Sequence, residues 1–100
     1  MIRGTTPTHT FDLPVEANNV KNIRITYIQR REKIVEKKMD AVTFENKKVK
    51  VTLTQKETLK FEAKHPALVQ VRILTTDGRV LASDPEDIHV EETFNEEILS

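Results

Sequence analysis

The stretch that decides the fold is Ile73-Leu74-Thr75-Thr76-Asp77-Gly78-Arg79-Val80-Leu81-Ala82-Ser83. It consists of two apolar-rich runs joined across Asp77-Gly78, and an alternating run over residues 68–72 leads into it. Asp-Gly tolerates the positive φ angles of a tight two-residue turn, and flanking hydrophobic residues make this the strongest short-range signal for a β-hairpin. The sequence therefore predicts an all-β fold with Asp77-Gly78 as a hairpin turn.

Other alternating runs lie before and after this hairpin. Residues 11–15 predict a first strand that ends near Pro14, and residues 20–29 predict a long half-buried strand. The remaining runs predict shorter strands over residues 33–39, 42–44, 49–53, 67–75, 79–83 and 88–91. Pro85 lacks a donor for a strand ladder, which predicts a bend or a change of partner at that point.

Thr54 and Glu57 have the spacing of a capping box, which predicts one helical turn near residues 54–59. A turn at this place resembles the connection before the penultimate strand of immunoglobulin-like domains. Together with about seven short antiparallel strands, it predicts a small immunoglobulin-like β-sandwich. The likeness is architectural, because the Cys and Trp residues of antibody domains are absent.

The length of 100 residues is that of one domain. We expect a flexible N-terminal arm at residues 1–10, a single β-sandwich domain at 11–93, and a polar C-terminal tail at 94–100. The Thr-rich arm could add a strand to the edge of a neighbour or be disordered.

The composition argues against an enzyme. Without cysteine, disulfides and thiolate metal sites are excluded, and His9, His65 and His89 fall in three different predicted elements. Ser83 lacks a nucleophile elbow, and residues 84–87 do not have the spacing of an EF-hand calcium loop. Two glycines cannot build a phosphate-binding loop. We therefore expect no catalytic residue, no metal and no cofactor.

No apolar run approaches the length that spans a bilayer, and the first residues lack a signal-peptide core. The expectation is a protein made and kept in the cytoplasm, or one that leaves it without such a signal, with no membrane partner.

The charge distribution is uneven although 16 basic and 16 acidic residues cancel. Residues 20–60 carry 12 Lys or Arg against 5 Asp or Glu, whereas residues 84–100 carry seven carboxylates and no base. Either the acidic segment lies against basic strands of its own domain, or it docks on the basic face of a neighbouring subunit. The predicted interaction surface comprises Arg30, Arg31, Lys37, Lys38, Lys47, Lys48, Lys50, Asp84, Glu86, Asp87, Glu91 and Glu92.

Nucleic acid is a weaker interpretation of the basic residues. Proteins that bind single strands combine such charge with exposed aromatic side chains, whereas most aromatic residues here occupy inward positions of the strand pattern. A net charge of zero also argues against strong phosphate binding.

Three segments resemble small proteins encoded in prophages of Gram-positive, Clostridia-type bacteria. They are residues 1–11, which open Met1-Ile2-Arg3-Gly4, residues 53–58 and residues 69–78. The resemblance implies a phage-related structural or interaction protein that contacts other phage proteins or itself. It would be present in the host cytoplasm during assembly and then in the virion, as a decoration, head–tail, tail or baseplate component. A non-structural protein that binds a host protein is the alternative.

Overall fold

The longest strand, β2, spans Val20–Gln29 and forms an antiparallel pair with β6, Ala67–Thr75. Alternate residues of both strands point to the same side, where Ile25 lies opposite Val71 and Tyr27 lies opposite Val69. These β-branched and aromatic side chains suit a pleated, half-buried surface. The computed structural model, which describes residues 1–100, places this pair at the centre of the larger of two sheets.

Eight strands form the two antiparallel sheets, so the all-β prediction is confirmed. The larger sheet has the order β3-β2-β6-β7, with β8 also paired to β6, and the smaller sheet has the order β1-β5-β4. The remaining elements are β1 Thr8–Asp12, β3 Glu32–Lys38, β4 Val42–Glu45, β5 Lys48–Thr52, helix α1 Gln55–Leu59, β7 Val80–Ala82 and β8 Glu86–Ile88.

The strand order is immunoglobulin-like. In that fold one sheet contains the order B-E-D and the other the order C′-C-F-G. Strands β1, β5 and β4 correspond to the first series, and β3, β2, β6 and β7 correspond to the second. The sequence predicted about seven strands and the structure has eight; the predicted bend at Pro85 separates β7 from β8, and β8 spans Glu86–Ile88 and not residues 88–91.

The core lies between the two sheets. Fifteen buried hydrophobic residues form one cluster, to which the smaller sheet contributes Val49 and Val51. Tyr27 and Phe61 pack edge to face in it, with ring centroids 6.1 Å apart. Such a contact adds about 0.5–1.5 kcal/mol beyond the burial of the rings.

Helix α1 begins as the sequence predicted. The Thr54 hydroxyl accepts from the Glu57 amide at 3.2 Å, and the Glu57 carboxylate accepts from the Thr54 amide at 2.8 Å. These two reciprocal bonds satisfy donors that the first helical turn leaves free.

The turn between β6 and β7 differs from the predicted two-residue turn. Gly78 has a φ of 89°, Asp77 does not have a positive φ, and the Gly78 amide donates to Thr75 O at 3.0 Å. The loop is therefore the three-residue type, in which a left-handed residue follows the turn. The Thr75 hydroxyl, which bonds Asp77 and accepts from the Arg79 amide, holds this wider loop.

The N-terminal residues also differ from the expected flexible arm. Strand β1 starts at Thr8 and pairs with β5, and Ile2 forms a parallel bridge with Glu91. The pattern of residues 11–15 missed this because Thr8 and Thr10 are polar residues on the exposed face of the strand. At the other end, residues 94–100 contain no helix or strand, and the Gln55 side chain bonds both the amide and the carbonyl of Leu99 at 2.8 Å.

The turn between β2 and β3 is the tight two-residue one. Arg30 and Arg31 have φ angles of 54° and 66°, between the paired residues Gln29 and Glu32. Positive φ at both central positions is the geometry for which Asn-Gly is preferred. A residue with a Cβ atom at such a position costs roughly 1–2 kcal/mol, and Arg30 and Arg31 both have one.

We expect the double replacement Arg30→Asn with Arg31→Gly to raise the free energy of unfolding by about 1 kcal/mol, because it relieves the left-handed strain. Urea denaturation measures the change. The matched control is Arg30→Lys with Arg31→Lys, which keeps both charges and both Cβ atoms and should give no gain. An equal gain in both variants would contradict a backbone origin.

Candidate interaction surfaces

Lys37 does not lie on an exposed interaction surface. It faces inward from the edge strand β3, where it is opposite Ile25, and its Nζ lies 2.8 Å from Glu57 Oε1. The two side chains are only 13% and 21% exposed. Burial alone would raise the pKa of Glu57, but the Lys37 ammonium and the Thr54 amide hold that pKa below its ordinary value. The pair therefore links strand β3 to helix α1.

Three other predicted cations are paired at the surface of their own chain. Arg30 bonds Glu62 at 2.8 Å, Lys48 bonds Asp12 at 2.9 Å, and Lys50 bonds Glu45 at 2.9 Å. Exposed pairs of this kind contribute little to stability, because water and salt screen the charges. Three of the predicted cations have no ion-pair partner, namely Arg31, Lys38 and Lys47.

The predicted acidic residues divide in the same way. Glu92 bonds Arg3, and Glu91 bonds His89 at 2.8 Å. Asp84, Glu86 and Asp87 are exposed on the segment around Pro85 and bond no cation. These three carboxylates lie beside β6 at one edge of the larger sheet, and we name them the acidic edge.

A second free charged surface contains one predicted residue, Lys38, and two that were not predicted, Arg24 and Arg72. Arg24 of β2 lies directly opposite Lys38 of β3 on one side and Arg72 of β6 on the other. Ile23 and Ile25, which flank Arg24 along β2, point into the core. Arg24 and the two cations opposite it are therefore on the outer face of the sheet. No carboxylate pairs with any of them. We name Lys38, Arg24 and Arg72 the cationic row.

The cationic row borders a hollow on the outer face of the sheet. Its volume is about 290 Å³, and Arg24, Arg72 and Asn22 line it beside the apolar Leu74 and Val80. Arg24 Nη1 donates to Asn22 Oδ1 at 2.7 Å and to Ile23 O at 2.8 Å, which orients its guanidinium. Alternation indicated that Arg24 faces outward, but the sequence held no signal for the register that aligns it with Arg72.

Arg3 ties the first residues to the rest of the domain. Its side chain donates to Phe61 O at 2.7 Å and to Leu59 O at 3.0 Å, and it pairs with Glu92 and with Glu96 at 2.6 Å. The two carbonyls lie at the end of helix α1, where backbone acceptors lack helical donors. Arg3 and Glu92 are therefore engaged within the domain.

His9 and Tyr27 form a polar contact between the two sheets. His9 Nδ1 lies 2.7 Å from the Tyr27 hydroxyl. Burial, with the Glu57 carboxylate, raises the pKa of Tyr27, so the hydroxyl keeps its proton in this contact. Burial and, secondly, the positive Met1 amine lower the pKa of His9. The fold therefore favours neutral His9.

In the described chain no group of three or more His, Cys, Asp or Glu is placed to hold a metal ion. The single α-helix has five residues, and no helix reaches the length and apolarity that a membrane crossing needs.

A comparison with protein-family models finds no match, and a comparison with curated proteins finds none either. Among solved structures the chain is similar to the V domain of amphioxus IgVJ-C2, at 11% identity and a TM-score of 0.37. The alignment covers 90% of this chain and 96% of that one.

The two neighbouring lysines of β3 give a matched stability test. We expect Lys37→Ala to lower the free energy of unfolding by about 1–2 kcal/mol, because it leaves the enclosed Glu57 carboxylate without its cation. Lys38→Ala, which removes an exposed and unpaired side chain, should change it by less than about 0.5 kcal/mol. Urea denaturation measures both, and equal losses would contradict the assignment.

His9 predicts a pH dependence of stability. Because its pKa is lower in the folded state, the unfolded chain binds the proton first as pH falls through about 6.5, and the free energy of unfolding decreases. Above that pH, His9 is neutral in both the folded and the unfolded state, and it no longer lowers the free energy of unfolding. His9→Gln should remove this part of the slope, whereas His89→Gln, at an exposed position, should retain it. A slope unchanged by His9→Gln in denaturation series at several pH values would contradict the prediction.

Proposed function

We propose that this protein acts by protein–protein contact, as a structural component of a phage particle. The observation that carries the proposal is the acidic edge, where Asp84, Glu86 and Asp87 are exposed and bond no cation of their own chain. Like charges gathered on one short segment repel each other. A cationic surface of another protein subunit would relieve that repulsion.

The placement of charge on the domain supports an assembly role. The acidic edge and the cationic row belong to the same sheet, but one lies at its margin and the other on its outer face. Two different complementary patches on one rigid body produce head-to-tail contacts, which close into rings or continue as filaments. Phage particles are built from repeated contacts of this kind.

The phage part of the proposal rests on the resemblance of residues 1–11, 53–58 and 69–78 to prophage-encoded proteins. In this proposal the chain is made in the host cytoplasm and becomes a decoration, head–tail, tail or baseplate component of the virion. The proposed contacts depend on the charges of the acidic edge and the cationic row, and they do not depend on which of these positions the chain takes in the virion.

Mass spectrometry of purified particles tests the proposal. Particles released from a host that carries the gene would be purified by density gradient, and the abundance of this chain would be compared with that of the major capsid protein. We expect the two to copurify at a constant ratio across the gradient, while an abundant host cytosolic protein is depleted. If the chain stays with the host proteins, the virion role is wrong and a host-directed binding protein becomes the better explanation.

A further inference from the structure

We infer that the cationic row is the docking site for the acidic edge of a second copy of this chain. This inference rests on the proposed function and names the partner for one of its surfaces. In it, Lys38, Arg24 and Arg72 of one copy receive the carboxylates of Asp84, Glu86 and Asp87 of the next.

The like charges of the cationic row lie in register with one another. The three cations occupy facing positions on three adjacent strands, about 5 Å from one strand to the next. Like charges directly opposite each other destabilise an antiparallel pair. Arg72 and Lys38 make no hydrogen bond or ion pair that would offset this cost. The row thus lacks a structural explanation within one copy.

The shape and chemistry of the cationic row and the hollow beside it also suit a protein partner. The row spans about 10 Å of backbone across three strands, so its three charges are spread over a surface and not placed at one point. A set of several carboxylates on one segment matches it better. The hollow beside the row has an apolar side formed by Leu74 and Val80, which suits a protein partner.

The aromatic residues argue against a nucleic-acid strand at this place. Tyr27 and Phe61 are buried, Phe11 and Phe44 pack against the core, and the fully exposed Phe94 belongs to the C-terminal tail. The residues that line the hollow include no aromatic side chain on which a base could stack. The row therefore lacks the stacking platform of single-strand binders, and carboxylates of a protein partner match it better.

The acidic edge of a second copy has the complementary charges for the cationic row. The acidic edge offers three exposed carboxylates without a cation, and the row offers three cations without a carboxylate. No ion pair joins them within one copy, where Glu86 lies opposite Val69 and Asp84 lies two residues after Ala82, the residue opposite Arg72. Contact between two copies satisfies both sets, and the combined net charge stays at zero.

Light scattering at low and high ionic strength provides the first test. The wild-type chain should exceed its 11.5 kDa monomer mass with rising concentration at low ionic strength and return to monomer at high ionic strength. Arg24→Glu with Arg72→Glu should abolish association, and so should Asp84→Asn, Glu86→Gln and Asp87→Asn combined. Circular dichroism would verify that each variant is folded.

The matched control is Lys47→Glu with Lys56→Glu, which changes the net charge equally at two exposed positions away from the row. It should associate like the wild type. The inference is wrong if the wild type remains monomeric under all conditions, if the row variant associates normally, or if the control loses association equally. A wild type that stays monomeric but binds an oligonucleotide through Arg24 and Arg72 would assign the row to nucleic acid instead.

Cross-linking tests the contact itself, because the chain has no cysteine of its own. Val80→Cys places a thiol at the hollow beside the row, where Val80 is exposed, and Pro85→Cys places one within the acidic edge. A short thiol-reactive cross-linker should join these two variants to each other far more than either to itself, and Thr52→Cys on the other sheet should join neither. Equal or self-pairing products would overturn the inference, whereas the particle experiment would still decide the virion role independently.

Discussion

The antiparallel pairing of β2 with β6 is the constraint on which the rest of the structure depends. Its inner face supplies most of the core, including Ile23, Ile25 and Val71, and its two free margins position every other strand of the larger sheet. Its outer face, fixed by the same register, brings Arg24 and Arg72 together. A one-residue slip would exchange the two faces and place arginines in the core, so the pattern of buried residues and the pattern of charge specify the same register.

Much of the fold was predictable because its signals are local. Alternation over residues 20–29 gave β2 with its observed bounds, and the capping box at Thr54 and Glu57 gave the start of α1. The first strand was misplaced because an edge strand with polar Thr8 and Thr10 shows little apolar alternation. The turn at Asp77-Gly78 was predicted one residue too short. The Thr75 hydroxyl stabilises the wider loop by accepting from the Arg79 amide, a contact that the Asp-Gly dipeptide does not indicate.

The candidate surfaces were less predictable, because they depend on which charges meet inside one chain. Counting residues indicated basic and acidic segments, but it could not show that Lys37 and Glu92 are engaged with Glu57 and Arg3. Nor could it show that Arg24 and Arg72 lie opposite each other, since they are 48 positions apart and their register is a property of the folded sheet. The charges that could contact another molecule are those that have no ion-pair partner in the folded chain.

The inward position of Lys37 has a consequence for behaviour at high concentration. Strand β3 is an edge, and a foreign strand stacking onto it would enclose an ammonium group whose counterion, Glu57, is already in place. Inward charges on edge strands oppose the indefinite strand stacking of cross-β fibrils. Strand β3 therefore resists the edge-to-edge stacking by which identical chains grow into fibrils.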